Sequence, residues 1–453
     1  MTKYFHPNAA SNFNERAHEL VSEIGKFEDN DPKHEGFPTD RPVRTISEDE
    51  VVGSFKLQSR DVFGQEYSRF EEVEGELLGL SENMYPQFHQ LCESIFRSKG
   101  VMKYVSSETV KEKTLSWLIA RNQLNCDSDL CTYLEEAFEG VVEVVSLILP
   151  VFGTETEEAF QIGHIKFQNI TEQEFNRWVE ESCRDREDDE RKLMLESFER
   201  ERKQVQGLMA ARITLKADPM RAKEIALELA EDALAMLRSF HPSNVEPRLN
   251  GHTALLGKQL LVTDRIIIPL DGRGVKTSES IAENGLPTWR IDRKLKEMMF
   301  GGGLSVLHEI IRTPQKSRTE FQTLVLDTMR IYSRVSLAKT YADKVIYMLV
   351  SLESVLLKDD KEFIQQSIAD RLAFAIEKDK VKRIRIVEVV KEIYGLRSRF
   401  LHHGKHISSE KIELMKEFMV YLWEYHHYLI VNSNNFNTKT EMIQSIEAIK
   451  YSG

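Results

Sequence analysis

The stretch RIRIVEVVKEIYGLRSRFLHHGK at residues 383–405 decides how the C-terminal part of the chain folds. Its apolar residues recur at the spacing of one face of an α-helix. The resulting stripe comprises Ile386, Val390, Ile393, Tyr394 and Leu401. Arg397 falls on the same stripe, between Ile393 and Leu401. A guanidinium on a core-facing position is costly unless it is paired or lines a cleft, so Arg397 is a candidate functional residue.

The end of this predicted helix brings the arginine close to two histidines. Gly404 follows His402 and His403, and we expect it to end the helix because glycine readily adopts the left-handed conformation of a C-terminal cap. Histidine transfers protons near neutral pH, and arginine stabilises growing phosphate charge. Cleavage of RNA by its own 2′-hydroxyl uses both functions and needs no metal ion. The residue types therefore fit a metal-independent ribonuclease site.

The spacing of Arg397 and His402 leaves the geometry of such a site open. Five residues along a regular helix turn two side chains about 140° apart. Either the helix deforms near its end, or the arginine curls round, or a second subunit completes the site. In a purely structural alternative, Arg399 and His403 form a surface pair, because they are four apart, and Arg397 makes an internal salt bridge.

The sequence around this helix predicts an all-helical bundle. Helical patterns cover about 318–358, 361–378, 383–402 and 409–431, with a short one near 438–450. The polar residues 313–317 are a candidate linker before it. Helices joined by short loops favour a bundle, in which the helix with Arg397 is the third. We therefore predict a helical domain over residues 318–453.

The part of the chain before the bundle alternates predicted helices and strands. Residues 1–44 hold several prolines among charges, and we expect an extended N-terminal arm with little core. β-branched residues predict strands at 141–152 and 159–167, as a hairpin or as two neighbouring strands. One long charged helix is predicted over 171–206. Because regular βαβ spacing is missing, residues 45–305 are interpreted as an α+β domain with a sensory or regulatory role.

Composition bounds the class of protein. The chain has 453 residues, a formal net charge of -12 and 41% hydrophobic residues. This charge argues against a protein coated in nucleic acid or held on an anionic membrane, but it allows a small basic pocket. There is no signal-peptide core and no apolar run near the roughly 20 residues that span a bilayer. The four cysteines lack a zinc or disulfide spacing. We expect a soluble, cytoplasmic protein.

Three motifs between about residues 345 and 405 resemble the Apea-like branch of the HEPN superfamily. They are Leu352-Glu353-Ser354, the run Ala369–Ala373 within SIADRLAFAI, and the run Tyr394–His402. The hallmark of the family is an arginine, four to six residues, then a histidine. Arg397 and His402 match it with four residues between, and His403 would match with five. In this branch the tyrosine, the Arg-Ser step and the histidine followed closely by glycine go together, which favours His402.

The resemblance implies a HEPN-type endoribonuclease in which Arg397 and His402 are catalytic and no metal or cofactor takes part. It further implies a homodimer or higher homo-oligomer with RNA as substrate, used as a toxin or phage-defence effector that stops growth. The trigger, bound by the N-terminal domain, is not given by the sequence. Tyr394, Ser398 and His403 are expected to support the site.

Two features keep an alternative open. Many active members of the family have Asn, Asp or His directly after the arginine, whereas this chain has Ser398. The domain could therefore be an inactive HEPN module that dimerises or binds RNA or protein. Glu353 is either the partner that orients Arg397 or an exposed helix glutamate, and a core arginine needs a carboxylate somewhere.

Two further patterns lie near the main site. His402 and His406 have a metal-compatible helical spacing, but Gly404 should break that helix and no acidic or cysteine ligand accompanies them, so no metal is predicted. The basic run at residues 380–385 is a positive patch that would steer RNA, or else an ordinary solvated turn.

Overall fold

The computed structural model describes residues 4–26, 56–60, 63–184, 188–257, 262–270, 274–281, 289–359, 362–404 and 406–452. The chain divides into two compact units. The first contains Met1–Ser146 and Thr214–Ile225, and the second contains Leu147–Ile213 and Ala226–Gly453. Within the described residues, no helix is long and apolar enough to cross a membrane.

The first unit combines helices with a small antiparallel sheet of strand order β1-β4-β3-β2. An apolar core lies among its helices and includes Phe88, Trp117 and Phe138, all buried. Its elements are α1 (Pro7–Val21), β1 (Gly25–Lys26), β2 (Lys56–Arg60), β3 (Glu66–Val73), β4 (Glu76–Leu80), α2 (Tyr85–Phe96), α3 (Lys99–Tyr104), α4 (Ser107–Asn122) and α5 (Leu130–Val141).

The prediction of an extended arm over residues 1–44 is wrong for residues 7–21, which form α1. Pro7 occupies the first turn of that helix, where a missing N–H costs nothing, so proline here begins a helix. Phe13, Ala17 and Leu20 then recur at helical spacing and are buried in the core of the first unit. Residues 27–44 of the predicted arm lie outside the described residues.

The next part of the chain supplies the sheets of the second unit, although β5, β9 and α8 run partly through residues of the first. One sheet has the order β10-β5-β9-β8-β7. The elements are β5 (Glu143–Phe152), β6 (Thr154–Thr156), β7 (Phe160–Ile162), β8 (Ile165–Asn169), α6 (Glu172–Cys183), α7 (Asp188–Val205), β9 (Met209–Ala217), α8 (Pro219–Arg238), β10 (Ala254–Leu255), β11 (Val262–Leu270), β12 (Gly274–Ile281) and β13 (Trp289–Ile291).

Two local predictions in this region need correction. The strand at 141–152 forms as β5, but the segment 159–167 is not its neighbour, because β9 pairs between them. That segment is itself a hairpin, β7 and β8, which turns at Gly163 with φ 58°. The helix predicted over 171–206 is two helices, α6 and α7. Thr171 caps α6 by accepting the amide of Glu174 at 3.2 Å.

The C-terminal part is an all-helical bundle, as predicted. Two helices precede residue 318, and a π-helical turn at Phe300–Leu304 joins them, which explains the broken helical pattern around 301–303. The helices are α9 (Arg293–Met299), α10 (Ser305–Arg312), α11 (Glu320–Leu337), α12 (Tyr341–Leu356), α13 (Ile364–Ile376), α14 (Lys380–His403), α15 (Ile412–Val431) and α16 (Lys439–Ser452).

The single helix predicted over 318–358 is wrong. It divides into α11 and α12 at Ala338–Thr340, where Ala338 adopts extended backbone angles and Thr340 caps α12. The helix that carries Arg397 is therefore the fourth after the predicted linker. Residues on both sides of that linker belong to the second unit. Arg330 in α11 donates from Nε and Nη2 to the two carboxylate oxygens of Asp232 in α8, each at 2.7 Å.

Candidate active site

Helix α14 is built as its sequence predicts at both ends. Asp379 caps its start by accepting the amide of Lys382 at 2.9 Å. Gly404 ends it in the left-handed conformation, with φ 62°, and donates its amide to Phe400 O at 2.9 Å. The helix therefore remains regular through His403, and the histidines occupy its last turn.

The buried stripe of α14 ends earlier than predicted. Ile386, Val390 and Ile393 are buried, but the stripe stops at Leu396, and Leu401 is 53% exposed. Arg397 consequently lies at the margin of the core, with its side chain 28% exposed. A guanidinium at such a margin can form an internal ion pair and still present donors to solvent.

Arg397 forms one corner of a polar group that we call the Glu353 cluster: Glu353, Tyr394 and Arg397. Arg397 Nη1 donates to Glu353 Oε1 at 2.7 Å, and the Tyr394 hydroxyl donates to the same oxygen at 2.9 Å. Glu353 lies on α12, which packs against α14, and its side chain is only 18% exposed. Of the two interpretations of Glu353, the structure places it as the partner of Arg397.

Burial, and then the adjacent carboxylate of Glu353, raise the pKa of the Tyr394 hydroxyl. The hydroxyl therefore stays protonated and remains a donor to Glu353. Arg397 Nε is buried and has no hydrogen-bond partner in the described part of the chain. The guanidinium is thus held through Nη1, while the side chain as a whole remains 28% exposed.

Arg371, a second arginine of this bundle, has a guanidinium that is hydrogen-bonded to several protein groups. Arg371, from the motif SIADRLAFAI, is buried and donates to both carboxylate oxygens of Glu362, at 2.7 and 2.6 Å. It also donates to Glu447 at 2.9 Å and to Leu356 O. Arg371 therefore has a structural role, whereas Arg397 donates to Glu353 and stays partly exposed at the margin of the core.

The remaining predicted site residues lie on the surface of α14. Ser398, His402 and His403 are exposed. Since the helix is regular to His403, His402 projects about 140° from Arg397, and a single chain does not bring the two side chains to one face. The surface pair of Arg399 and His403 is not formed either, because no hydrogen bond or ion pair joins them among the described contacts.

Both arginines of the basic run at residues 380–385 contact other helices of the bundle. Arg385 donates to both carboxylate oxygens of Glu417, at 2.9 and 2.7 Å. Arg383 lies over the ring of Phe374, with 4.1 Å between guanidinium carbon and ring centroid. These cations are therefore less available to steer RNA than the sequence suggests. No group of three His, Cys, Asp or Glu residues that could hold a metal ion is found in the described part of the chain.

Sequence reasoning did not identify a pocket that borders the end of α14. It is lined by residues from three distant segments, among them Lys339, Tyr341 and Phe400. No single-segment motif links these residues, because their proximity depends on the tertiary packing of the bundle. Comparison of the chain with models of known protein families, with curated proteins and with solved structures gave no match.

Proposed function

We propose that the chain is a metal-independent endoribonuclease of the HEPN type. The observation that carries the proposal is the Glu353 cluster, which holds Arg397 by one nitrogen at the margin of the core, one to two turns from a helix end with two exposed histidines. The resemblance of the three motifs in α12, α13 and α14 to the Apea-like branch supports the same function.

In the proposed reaction, the 2′-oxygen of one nucleotide attacks the adjacent phosphorus, and the bond from phosphorus to the 5′-oxygen breaks. A histidine accepts the 2′-hydroxyl proton, and a second proton passes to the leaving 5′-oxygen. The products are a 2′,3′-cyclic phosphate end and a 5′-hydroxyl end. Arg397 stabilises the negative charge that builds on the phosphorane oxygens, and His402 is the proton-transfer group.

A homodimer supplies what one chain lacks. One histidine cannot easily act as base and acid in the same turnover, so two copies of His402 facing one cleft would divide these roles. Because Arg397 and His402 lie about 140° apart on one helix, the proposed site requires a second subunit. By the same resemblance, we propose a toxin or phage-defence effector whose activity the N-terminal part of the chain regulates.

The decisive experiment is cleavage of mixed-sequence RNA by the purified full chain in excess EDTA. We expect cleavage by the wild type, and a loss of roughly 100-fold or more in Arg397→Ala and in His402→Ala. Arg399→Ala is the matched control, because Arg399 is exposed on the same helix, and it should cleave like wild type. Cleavage by His403→Ala shows whether His403, the other histidine that matches the family spacing, takes part in the reaction. Unchanged cleavage in both Arg397→Ala and His402→Ala would refute the assignment.

The second candidate is a non-catalytic HEPN module that dimerises or binds RNA or protein. Two observations favour it: His402 projects away from the Glu353 cluster within one chain, and Ser398 follows the arginine. A folded, dimeric wild type that cleaves none of many RNAs would support this module. A dimer structure with the two His402 side chains far apart would do the same.

A further inference from the structure

A pocket of about 510 Å³ lies within the second unit, beside the end of α14. This volume falls in the range of about 300–1,000 Å³ typical of small-ligand sites. The loop at 247–250, the start of α12 at 339–343, and residues after Arg397 line it. The last group is Phe400, His406 and Ile407. We call this the α12 pocket.

The α12 pocket is suited to an anion. Arg248 and Lys339 line it, and the amides of Tyr341 and Ala342 at the start of α12 precede the first hydrogen bonds of that helix. Arg248 forms ion pairs with Glu413, at 3.2 Å, and with Glu246, at 3.8 Å. Lys339 is exposed and forms no ion pair with any residue whose side chain is described.

One carboxylate also lines the pocket, and the helix cap engages it. The Thr340 hydroxyl donates to Asp343 Oδ2 at 2.7 Å, and the Asp343 amide donates back to the Thr340 hydroxyl at 3.1 Å. Arg248 is therefore already paired with carboxylates, and the cap hydrogen bonds hold Asp343 at the start of the helix, so Lys339 is the cation of the lining that faces the pocket without a described ion pair. Lys339 and the start of α12 are the groups of this pocket that can receive a phosphate.

The aromatic residues narrow the chemistry of that ligand. Tyr341 and Phe400 both line the pocket, are half-buried, and come from different helices. Single-stranded RNA is recognised by unstacked bases that lie on aromatic rings, while cations hold the backbone. An acidic peptide would use the cations but would leave the aromatic walls without a role.

A buried lysine fixes the loop that lines one side of the α12 pocket. Lys344 is buried, and its Nζ donates to the carbonyl oxygens of Pro247, at 2.9 Å, and of Leu249. Both carbonyls belong to the loop that carries Arg248. A buried lysine that satisfies two backbone acceptors fixes this loop against the start of α12, so the pocket is formed before a ligand enters.

The pocket also adjoins the candidate active site along α14. Phe400 is three residues after Arg397 and three before His403, and each step of three moves about 60° around a regular helix. A strip of α14 surface therefore leads from Arg397 over Phe400 toward His403. An RNA strand on this strip would place one phosphate at Arg397 and a neighbouring nucleotide at Phe400.

We infer that the α12 pocket binds the nucleotide next to the scissile phosphate of a single-stranded RNA. Tyr341 and Phe400 receive the base, and Lys339 with the start of α12 receives a phosphate. The inference rests on the proposed function, since that function names RNA as the substrate and places the scissile phosphate at Arg397.

The test is fluorescence anisotropy of the full chain with a labelled, mixed-sequence 2′-O-methyl oligonucleotide, which lacks the attacking hydroxyl and cannot be cleaved. Tyr341→Ala should weaken binding about tenfold, with an unchanged slope of affinity against salt concentration. Lys339→Gln should lower that slope by about 0.7, the value for one phosphate contact to a single strand. Tyr341→Phe should bind like wild type.

Lys316→Gln is the matched control, since Lys316 is an exposed lysine outside the pocket, and it should leave affinity and slope unchanged. The inference is overturned if wild type does not bind the oligonucleotide, if Lys339→Gln and Tyr341→Ala both bind normally, or if Lys316→Gln is equally impaired. Equal competition by a polyglutamate peptide would overturn the assignment of RNA. Pocket-dependent binding by a chain that never cleaves RNA would support the pocket and refute the proposed function.

Discussion

Glu353 accepts two hydrogen bonds on one carboxylate oxygen, and both donors come from α14. Glu353→Gln keeps the size of the side chain but removes the charge that holds Arg397. We expect the free energy of unfolding to fall by about 1–2 kcal/mol, because a half-buried guanidinium loses its counter-charge. RNA cleavage should fall as well, since Arg397 loses its orientation. Chemical denaturation and the EDTA cleavage assay measure the two effects.

Tyr394→Phe separates the contribution of the Glu353 charge from that of the hydrogen bond from Tyr394. It removes one donor to Glu353 but leaves the ion pair with Arg397, so it should cost about 0.5–1.5 kcal/mol. A larger loss of stability in Tyr394→Phe than in Glu353→Gln would show that the ion pair is not the main contribution of Glu353.

At the scale of residues, the sequence predicts which side chains have functional chemistry better than it predicts which residues touch one another. A core-facing arginine requires a carboxylate, and the sequence offers Glu353 either as that partner or as an exposed helix glutamate. The prediction for Leu401 was wrong because periodicity defines the face of a helix but not where its neighbours end. The α12 pocket could not be predicted, since Lys339 and Phe400 meet only through tertiary packing.

The end of α14 supplies a test at the scale of one element. Gly404 has φ 62°, and a Cβ there would meet no atom within 4 Å. Gly404→Ala should therefore lower the stability by about 1 kcal/mol through backbone strain alone. Gly395, in the interior of the same helix, also has open space for a Cβ.

Gly395→Ala is the matched control, and it should raise the stability by about 0.5–1 kcal/mol, because alanine loses less backbone entropy in a helix. The measurement is the unfolding midpoint of both variants in guanidinium chloride. Equal effects of the two substitutions would contradict the left-handed cap, since the added methyl group is the same in both.

Element boundaries divide into those with a local cause and those without one. Gly404 ends α14 where its sequence predicts, because the cap is local. The break between α11 and α12 was missed, since Ala338–Thr340 contains neither glycine nor proline. The place of β9 between β5 and β8 was missed for another reason: strand order depends on long-range pairing, which local patterns do not encode.

At the scale of the whole molecule, fold class could be predicted and the grouping of elements could not. Strand patterns give way to helical ones near residue 292, and the structure has that order. Yet Arg330 joins α11 to Asp232 across the predicted linker, and no local pattern announces such a pair. Similarly, α1 packs into the core of the first unit, although its proline suggested an extended arm.

The second unit contains two buried histidines that make its stability depend on pH. Burial lowers the pKa of His426 to about 3, and burial together with nearby His252 and Lys344 lowers the pKa of His241 to about 4. His426 is stacked on Tyr332, with ring centroids 4.0 Å apart. Neither histidine belongs to the candidate active site, so stability and cleavage can be examined separately.

Both histidines have folded-state pKa values below the unfolded value of about 6.5. Below that pH the unfolded chain binds protons that the folded chain refuses, so stability falls as pH falls. We expect each histidine to cost up to about 2 kcal/mol at pH 5 relative to neutral pH, from 1.36 kcal/mol per pH unit. The pH range from 7 to 5 lies above 4.5, the ordinary pKa of a glutamate. Glutamates such as Glu362, whose pKa Arg371 lowers to about 2, therefore do not titrate in this range.

The measurement is thermal unfolding of the full chain at pH values between 7.5 and 5. His426→Phe keeps an aromatic ring against Tyr332 but cannot titrate, so it should lose less stability on acidification than wild type. His164→Gln is the matched control, because His164 is exposed at the turn of the hairpin β7–β8, and its acid response should equal that of wild type. A neutral, buried histidine must destabilise the folded state relative to the unfolded chain as the unfolded chain takes up a proton. If stability falls equally with pH in His426→Phe and in wild type, His426 is therefore not buried in its neutral form.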